Sequence, residues 1–120
     1  MHELSIAMSM IEMAEAEAAA RGARVTALHL KLGPLSGVVR EALEFSYGIA
    51  CEGTTLEGSQ LVVEEVPVKI HCARCRQDEF VESIQSLRCS RCGQLSNDVI
   101  QGRELEVVAL ELAEIEELVS

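Results

Sequence analysis

Apolar residues recur at three-to-four spacing from the start of the chain. Ile6, Met10, Met13 and Ala14 share one stripe of a helix expected from Leu4 to Arg21. Abundant alanine favours that helix, and Gly22 is placed to end it. Glu17 falls on the same stripe one turn later, so the buried face is expected to stop before it. Val25 to Leu32 alternates instead, with Leu28, Leu30 and Leu32 on one face and His29 and Lys31 on the other, the pattern of a strand. Gly33-Pro34 breaks it. Ser36 is then a candidate cap for a second helix through about Ala50, with Val39, Leu43, Tyr47 and Ala50 inward and Gly53 at its end. Leu61 to Ile70 predicts a second strand, in which Pro67 argues for an edge position or a strand end. Leu105 to Leu112 predicts a third, and the tail from Ala113 to Ser120 is acidic, with a helix open to it.

The order helix, strand, helix, strand, cysteine segment, strand predicts an α+β fold. Two helices lie on a three-stranded sheet, with a small zinc-ribbon-like module inserted before the last strand. The expected division is residues 1–70 and 100–120 for the α+β domain and 71–99 for the insert. With 120 residues and 48% apolar composition a core is affordable, but Trp is absent and Phe45, Phe80 and Tyr47 are the aromatics, so that core must be aliphatic.

The insert is defined by two pairs, Cys72-Ala-Arg-Cys75 and Cys89-Ser-Arg-Cys92, separated by thirteen residues. A CxxC turn places two sulfurs on one side of an ion, and a second turn closes the other side of a tetrahedron, the geometry Zn²⁺ prefers. Four cysteines leave no open coordination position, so this centre is expected to hold structure rather than perform chemistry. A redox role for one pair fits poorly, because a thioredoxin-like motif would open a helix after a buried strand. Cys51 is expected as a buried free thiol, His29 as a surface residue, and His71 as a neighbour of Cys72 that could orient or replace a ligand.

Charge narrows the partners. The formal net charge is -10, which disfavours phosphate backbones, so no nucleic acid is expected. Six of the ten basic residues, Lys69, Arg74, Arg76, Arg88, Arg91 and Arg103, cluster in and beside the cysteine segment. They read either as a shell around a dianionic Zn(Cys)₄ centre or as a docking patch for an acidic partner. Ala18-Ala19-Ala20 resembles a cleavage site, but no Lys or Arg precedes it and Glu3, Glu12, Glu15 and Glu17 interrupt the apolar run, so no signal peptide is expected. No stretch reaches the roughly 20 apolar residues of a membrane helix. Unpaired CxxC thiols then favour the cytoplasm.

The opening Met1-His2-Glu3 carries a second chemistry. The Met1 amine, the His2 amide nitrogen and the His2 imidazole can reach one metal in a plane, an arrangement that suits Ni(II) or Cu(II). Glu3 can add an oxygen ligand or hold the imidazole. Because the metal displaces ammonium and amide protons, binding should weaken as pH falls. Taken by itself, a Met-His start is usually an accident of sequence.

Read together with the rest, it is not. Met1-His2-Glu3-Leu4-Ser5-Ile6-Ala7 resembles the opening of the HypA/HybF family, the nickel metallochaperones of [NiFe]-hydrogenase maturation. The likeness continues through Leu30-Lys31-Leu32-Gly33, Leu43-Glu44-Phe45, Leu61-Val62-Val63-Glu64-Glu65, both cysteine pairs, and Gln101-Gly102-Arg103-Glu104-Leu105-Glu106-Val107. The resemblance implies an α+β nickel-binding domain carrying a four-cysteine zinc domain. It makes His2 the essential nickel ligand, assisted by the Met1 amine, backbone nitrogens and Glu3, with zinc on Cys72, Cys75, Cys89 and Cys92. It implies as partners the maturation GTPase and the hydrogenase large-subunit precursor, with urease maturation proteins in some organisms, and either a monomer or a homodimer.

The sequence departs from the family in two places. Val39 stands where some members carry a carboxylate associated with nickel, and Glu41, two residues on, lies about 200° away around a helix. Glu3 and backbone nitrogens then take more of the work. Arg76 and Gly93 stand where some relatives have histidines after the cysteines, which argues against a histidine swap at the zinc. The leading expectation is a metallochaperone, not an enzyme, since neither a nucleophile–base pair nor a phosphate-binding glycine loop is found. The alternative is a zinc-ribbon adaptor that binds proteins and has no nickel role.

Overall fold

The computed structural model describes residues 2–115. The chain is α+β: α1 (Glu3–Ala20), β1 (Ala23–Leu32), a 3₁₀ turn (Pro34–Ser36), α2 (Arg40–Cys51), β2 (Gln60–Glu65), β3 (Lys69–Cys72), β4 (Gln77–Phe80), β5 (Val99–Gln101) and β6 (Leu105–Glu114). One three-stranded sheet has the order β2-β1-β6 and a second β4-β3-β5. Two compact units result. The first comprises the chain up to Leu30, Val38–Val63 and the chain from Val107; the second comprises Lys31–Gly37 and Glu64–Glu106.

In the first unit α1 packs against α2. The buried side of α1 is Ile6, Ala7, Met10, Ile11, Ala14 and Ala18, and that of α2 is Leu43, Tyr47 and Cys51. Both stripes differ from the expected ones. Met13 is 43% exposed, and Ala18 carries the buried face past Glu17. Val39 precedes the helix and is exposed. The reason lies at the start of α2. Pro34–Ser36 forms a 3₁₀ turn closed by Gly37 in a left-handed conformation (φ 84°), so Ser36 ends that turn instead of capping a helix, and α2 begins four residues later without a side-chain cap. The core is aliphatic as expected, completed by Val25, Ala27, Leu28, Leu30 and Leu56. Its one aromatic, Tyr47, meets its hydroxyl's need with Ser59 Oγ at 2.7 Å. Burial pushes the Tyr47 pKa up to about 12.

Along β1 the buried residues run Val25, Ala27, then Leu28, Leu30, Leu32, so the alternation slips by one residue between Ala27 and Leu28 as it does at a β-bulge. Thr26 and His29, three apart in sequence, consequently both reach Glu111: Thr26 Oγ1 donates to its carbonyl at 3.1 Å and His29 Nε2 lies 2.6 Å from its carboxylate. The C-terminal expectation is corrected in part. Ala113 and Glu114 continue β6 as strand, and residues 116–120 lie outside the described residues.

The single strand expected from Leu61 to Ile70 is two strands in different sheets, parted by Val66-Pro67-Val68, with Glu64 onward in the second unit. Proline has no N–H to give a ladder, so the run cannot continue through it. Leu32, Gly33 and Leu35 are stitched to this unit by three backbone bonds, Val66 N–H to Leu32 O (2.9 Å), Gly33 N–H to Glu104 O (2.8 Å) and Leu35 N–H to Gly102 O (2.7 Å). The backbones are so close that a Cβ on Gly33 would sit 2.1 Å from the Gly102 carbonyl oxygen. Gly33→Ala is therefore expected to destabilise the protein by about 3 kcal/mol or more through overpacking against backbone that cannot yield. Urea unfolding of the two forms measures this, and an unchanged midpoint would refute the close approach.

Candidate metal centres

The four cysteines of the two pairs converge. All four Sγ atoms lie within 4.8 Å of one another, with Cys72 to Cys92 at 3.6 Å and Cys75 to Cys89 at 3.8 Å. A tetrahedron with Zn–S bonds of about 2.3 Å places its sulfurs about 3.8 Å apart, so this donor set fits a structural Zn²⁺. Cys72 and Cys89 are buried and Cys75 and Cys92 half-buried, and no disulfide links them.

Two equivalent turns build the cluster. Cys72 O accepts Arg76 N–H at 2.7 Å and Cys89 O accepts Gly93 N–H at 2.8 Å. The fifth residue of each turn is left-handed, with φ 57° at Arg76 and 79° at Gly93. Glycine takes that conformation freely, whereas a left-handed arginine costs about 1–2 kcal/mol and must be held by its surroundings. Backbone amides inside the turns point at sulfur, from Cys75 to Cys72 Sγ (3.4 Å) and from Arg91 to Cys89 Sγ (3.3 Å). With the thiols alone, Cys89 is drawn down to about 7, first by the Cys92 N–H and then by that of Arg91. Hydrogen bonding with Cys92 above all, then burial, pushes Cys75 up to about 12. The Cys89 thiolate is thus favoured at neutral pH, while Cys75 resists ionising until a cation shares the charge.

His71 stays outside this cluster. It pairs across β3 and β4 with Asp78, and its Nδ1 lies 2.8 Å from the Asp78 carboxylate. Its backbone is held on the other side by Asp98 O, which accepts His71 N–H (2.8 Å), and by Ser96 Oγ, which donates to His71 O (2.7 Å). Part of the basic shell is committed within the ribbon: Arg88 donates to Gly93 O (3.0 Å), and Arg91 bonds Gln77 and lies 3.7 Å from Glu79. Cys51 is the expected buried free thiol, 3.8 Å from Ser59 Oγ.

At the other site, Met1 lies outside the described residues. His2 is exposed and extended (φ -81°, ψ 132°) and precedes the first turn of α1, where its carbonyl accepts Ile6 N–H at 3.2 Å. Its side chain is not spent on capping the helix. Glu3 opens α1, and its carboxylate accepts the backbone N–H of Val39 in a long bond of 3.4 Å. The Glu3 carboxyl is held below its ordinary 4.5, first by its own backbone N–H and then by that of Val39. Position 39, singled out by the sequence as a departure, therefore lies beside Glu3 in space. It offers an amide in place of a carboxylate, and the Val39 side chain is 57% exposed. The partnership of Val39 with Glu3 was missed from sequence, as was the role of Asp78 beside His71.

Comparison with known proteins identifies the family. The family model described as "Hydrogenase/urease nickel incorporation, metallochaperone, hypA" matches residues 1–112. The hydrogenase maturation factor HypA of Roseiflexus sp. (strain RS-1) is 48% identical over 112 residues, covering 92% of this chain and 91% of its own. That of Chloroflexus aurantiacus is 46% identical, with 92% and 98% covered. Among solved structures, the solution structure of the Ni metallochaperone HypA from Helicobacter pylori superimposes with a TM-score of 0.63 at 20% identity, covering 96% of this chain and all of that one. Another solution structure of a HypA protein gives 0.67 at 22% identity, with 93% and 96% covered. These two show a shared fold, and the sequence matches reach further: the chain belongs to the HypA family of hydrogenase and urease nickel-incorporation metallochaperones.

Proposed function

We propose that this chain binds Ni(II) through Met1, His2 and Glu3 and delivers it for maturation of [NiFe]-hydrogenase, while Cys72, Cys75, Cys89 and Cys92 hold a structural Zn²⁺. The observation that carries the reading is the placement of His2. It is exposed and extended, beside a carboxylate held ionised by two backbone amides, in a chain of this family. Amine, amide and imidazole nitrogens supply three positions of a tetragonal site, and Glu3 supplies an oxygen or steadies the imidazole. We assign nickel binding to residues 1–70 and 100–120 and zinc to residues 71–99. Bound zinc would clamp the two cysteine turns together, and its closed shell leaves no position for a substrate.

The chain acts as a carrier and not as an enzyme. Release is ligand exchange: protonation of the amine and imidazole, or a competing ligand from the acceptor, loosens the ion. The partners are the GTPase of the maturation pathway and the hydrogenase large-subunit precursor, with urease maturation proteins as further acceptors, and the compartment is the cytoplasm. Among the described residues no helix is long and apolar enough to cross a membrane.

The test is a nickel titration of the zinc-loaded protein with a native Met1, alongside the same protein extended by Gly-Ser. One nickel per chain with d–d absorption in the native form, lost in the extended form at unchanged zinc content, is the expected result. Equal binding in both forms would remove the amino-terminal site and leave a zinc-ribbon adaptor.

A further inference from the structure

The outer side of α2 carries an apolar stripe that is exposed among the described residues. Leu43, Tyr47 and Cys51 are buried. Two positions along, about 200° around the axis, Phe45 and Ile49 are 72% and 47% exposed. Glu41 lies one turn before Phe45 on the same line, and Glu52 follows the helix as its extended C-cap, so an exposed carboxylate stands at either end of the apolar pair. Among the described residues neither Glu41 nor Glu52 forms an ion pair, while Glu44 is engaged with Arg40 at 3.0 Å.

Gly48 lies beside this line, and nothing stands within 4 Å of the place its Cβ would take. Glycine in a helix interior is unfavourable relative to alanine, and no packing inside the chain requires it here. Its absent side chain instead leaves the helix backbone uncovered to one side of Phe45 and Ile49, where a neighbour can approach it. An exposed phenylalanine by itself means little. Here it coincides with a second apolar residue on the same helix face, a neighbouring glycine that meets nothing, and a carboxylate at each end of the helix without an ion pair among the described residues.

We propose that this face of α2 docks a segment of a partner protein that presents apolar side chains flanked by Lys or Arg. Charge selects the occupant. A second copy of the chain meeting the same face in antiparallel fashion would set Glu41 against Glu52 at both ends, and like charges so placed oppose association. The chain's own last residues carry Glu116 and Glu117, the same sign as the face. An anionic lipid surface is opposed by the net charge of -10. A basic, apolar segment meets both needs, with its apolar side chains on Phe45 and Ile49 and its cations on the two carboxylates. This inference goes beyond the nickel reading and does not rest on it.

The test uses the zinc-loaded, nickel-free full chain, labelled with ¹⁵N and titrated with an amphipathic peptide of Leu and Lys; the same peptide with Glu for Lys is the comparison. The expected result is saturable binding of the Lys peptide with shifts centred on Glu41 to Glu52. Phe45→Ser with Ile49→Ser should weaken it by at least about tenfold at unchanged zinc content and amide dispersion. Glu41→Lys with Glu52→Lys should transfer the preference to the Glu peptide. Shifts centred elsewhere, absence of saturable binding, or equal binding of both peptides by the native chain would each overturn the proposal. So would a dimer in sedimentation that Phe45→Ser abolishes, because the occupant would then be a second copy. Nickel is absent throughout, so these outcomes are independent of the amino-terminal site.

Discussion

Replacing Cys89 with Ser, or stripping zinc with a chelator, is expected to unfold the cysteine ribbon while the helical signal of α1 and α2 persists. The ribbon has little else to stand on. Between Glu64 and Glu106 the buried side chains are Val68, Ile70, Cys72 and Cys89, so two of the four are metal ligands themselves. Its strands are four, four and three residues long. Two aliphatic side chains at about 1.5–3 kcal/mol each do not offset the ordering of that stretch. Zinc binding, with apparent values of about 10–16 kcal/mol in zinc-finger peptides, is large enough to do so. Cys89, like Cys72 in the equivalent turn, is a telling ligand to remove, because its sulfur accepts the Arg91 amide inside the turn that its carbonyl closes with Gly93, so losing the sulfur disturbs both the centre and its turn.

The measurement is a ¹H–¹⁵N spectrum with and without chelator, read at the amides of His71 to Val99, alongside far-ultraviolet circular dichroism. Collapse of those amides with retained helical ellipticity is expected. Ribbon amides that stay dispersed after zinc removal would show that the cluster is not what holds it. Zinc affinity should also rise with pH, because Cys75, held protonated by its hydrogen bonding with Cys92, must give up its proton on binding.

The cysteine cluster was legible because its signal is local: two short turns at a known spacing bring their own geometry. The first-helix stripe and the strand alternation were legible for the same reason. What failed depended on competition between neighbours or on distant parts of the chain. Ser36 looked like a helix cap, yet Pro34 and Gly37 made a tight turn around it first. The run from Leu61 to Ile70 looked continuous because every residue but the acids and Pro67 suits a strand, and one missing N–H was enough to divide it between sheets. The slip in β1 was invisible because Ala27 and Leu28 are both apolar, so either face could have claimed them. Glu3 and Val39 are 36 residues apart and meet in the packed first unit, a relation no window along the sequence contains.

His2→Ala is expected to lower nickel affinity by at least about 100-fold, since even the outer partners of metal ligands are worth about 10–100-fold. Loss of the imidazole removes the six-membered chelate ring that anchors the metal beside the amide, so amide deprotonation is no longer favoured and the amine is left as a lone nitrogen donor. Glu3→Gln should cost less, about tenfold, because the amide oxygen can still accept the Val39 N–H that positions the side chain. The pH profile separates nitrogen ligation from a carboxylate site. Glu3 is held below 4.5, so it stays ionised from pH 8 down to pH 6 and adds no slope there. Its folded-state preference for the carboxylate would be lost as pH falls through that lowered value, well outside the window. Nitrogen ligands behave oppositely: an α-amine titrates near 8 and the coordinated amide must lose its proton, so about two protons leave per nickel and affinity falls roughly 100-fold per pH unit below the amine's pKa. Competition titrations against a chromophoric chelator from pH 8 to pH 6 read both quantities. A flat profile would place the nickel on carboxylates, and a steep profile with undiminished affinity in His2→Ala would place it on cysteines instead. A steep profile that His2→Ala abolishes while zinc stays at one per chain would identify the amino-terminal nitrogens as the ligands and make protonation a working route to release.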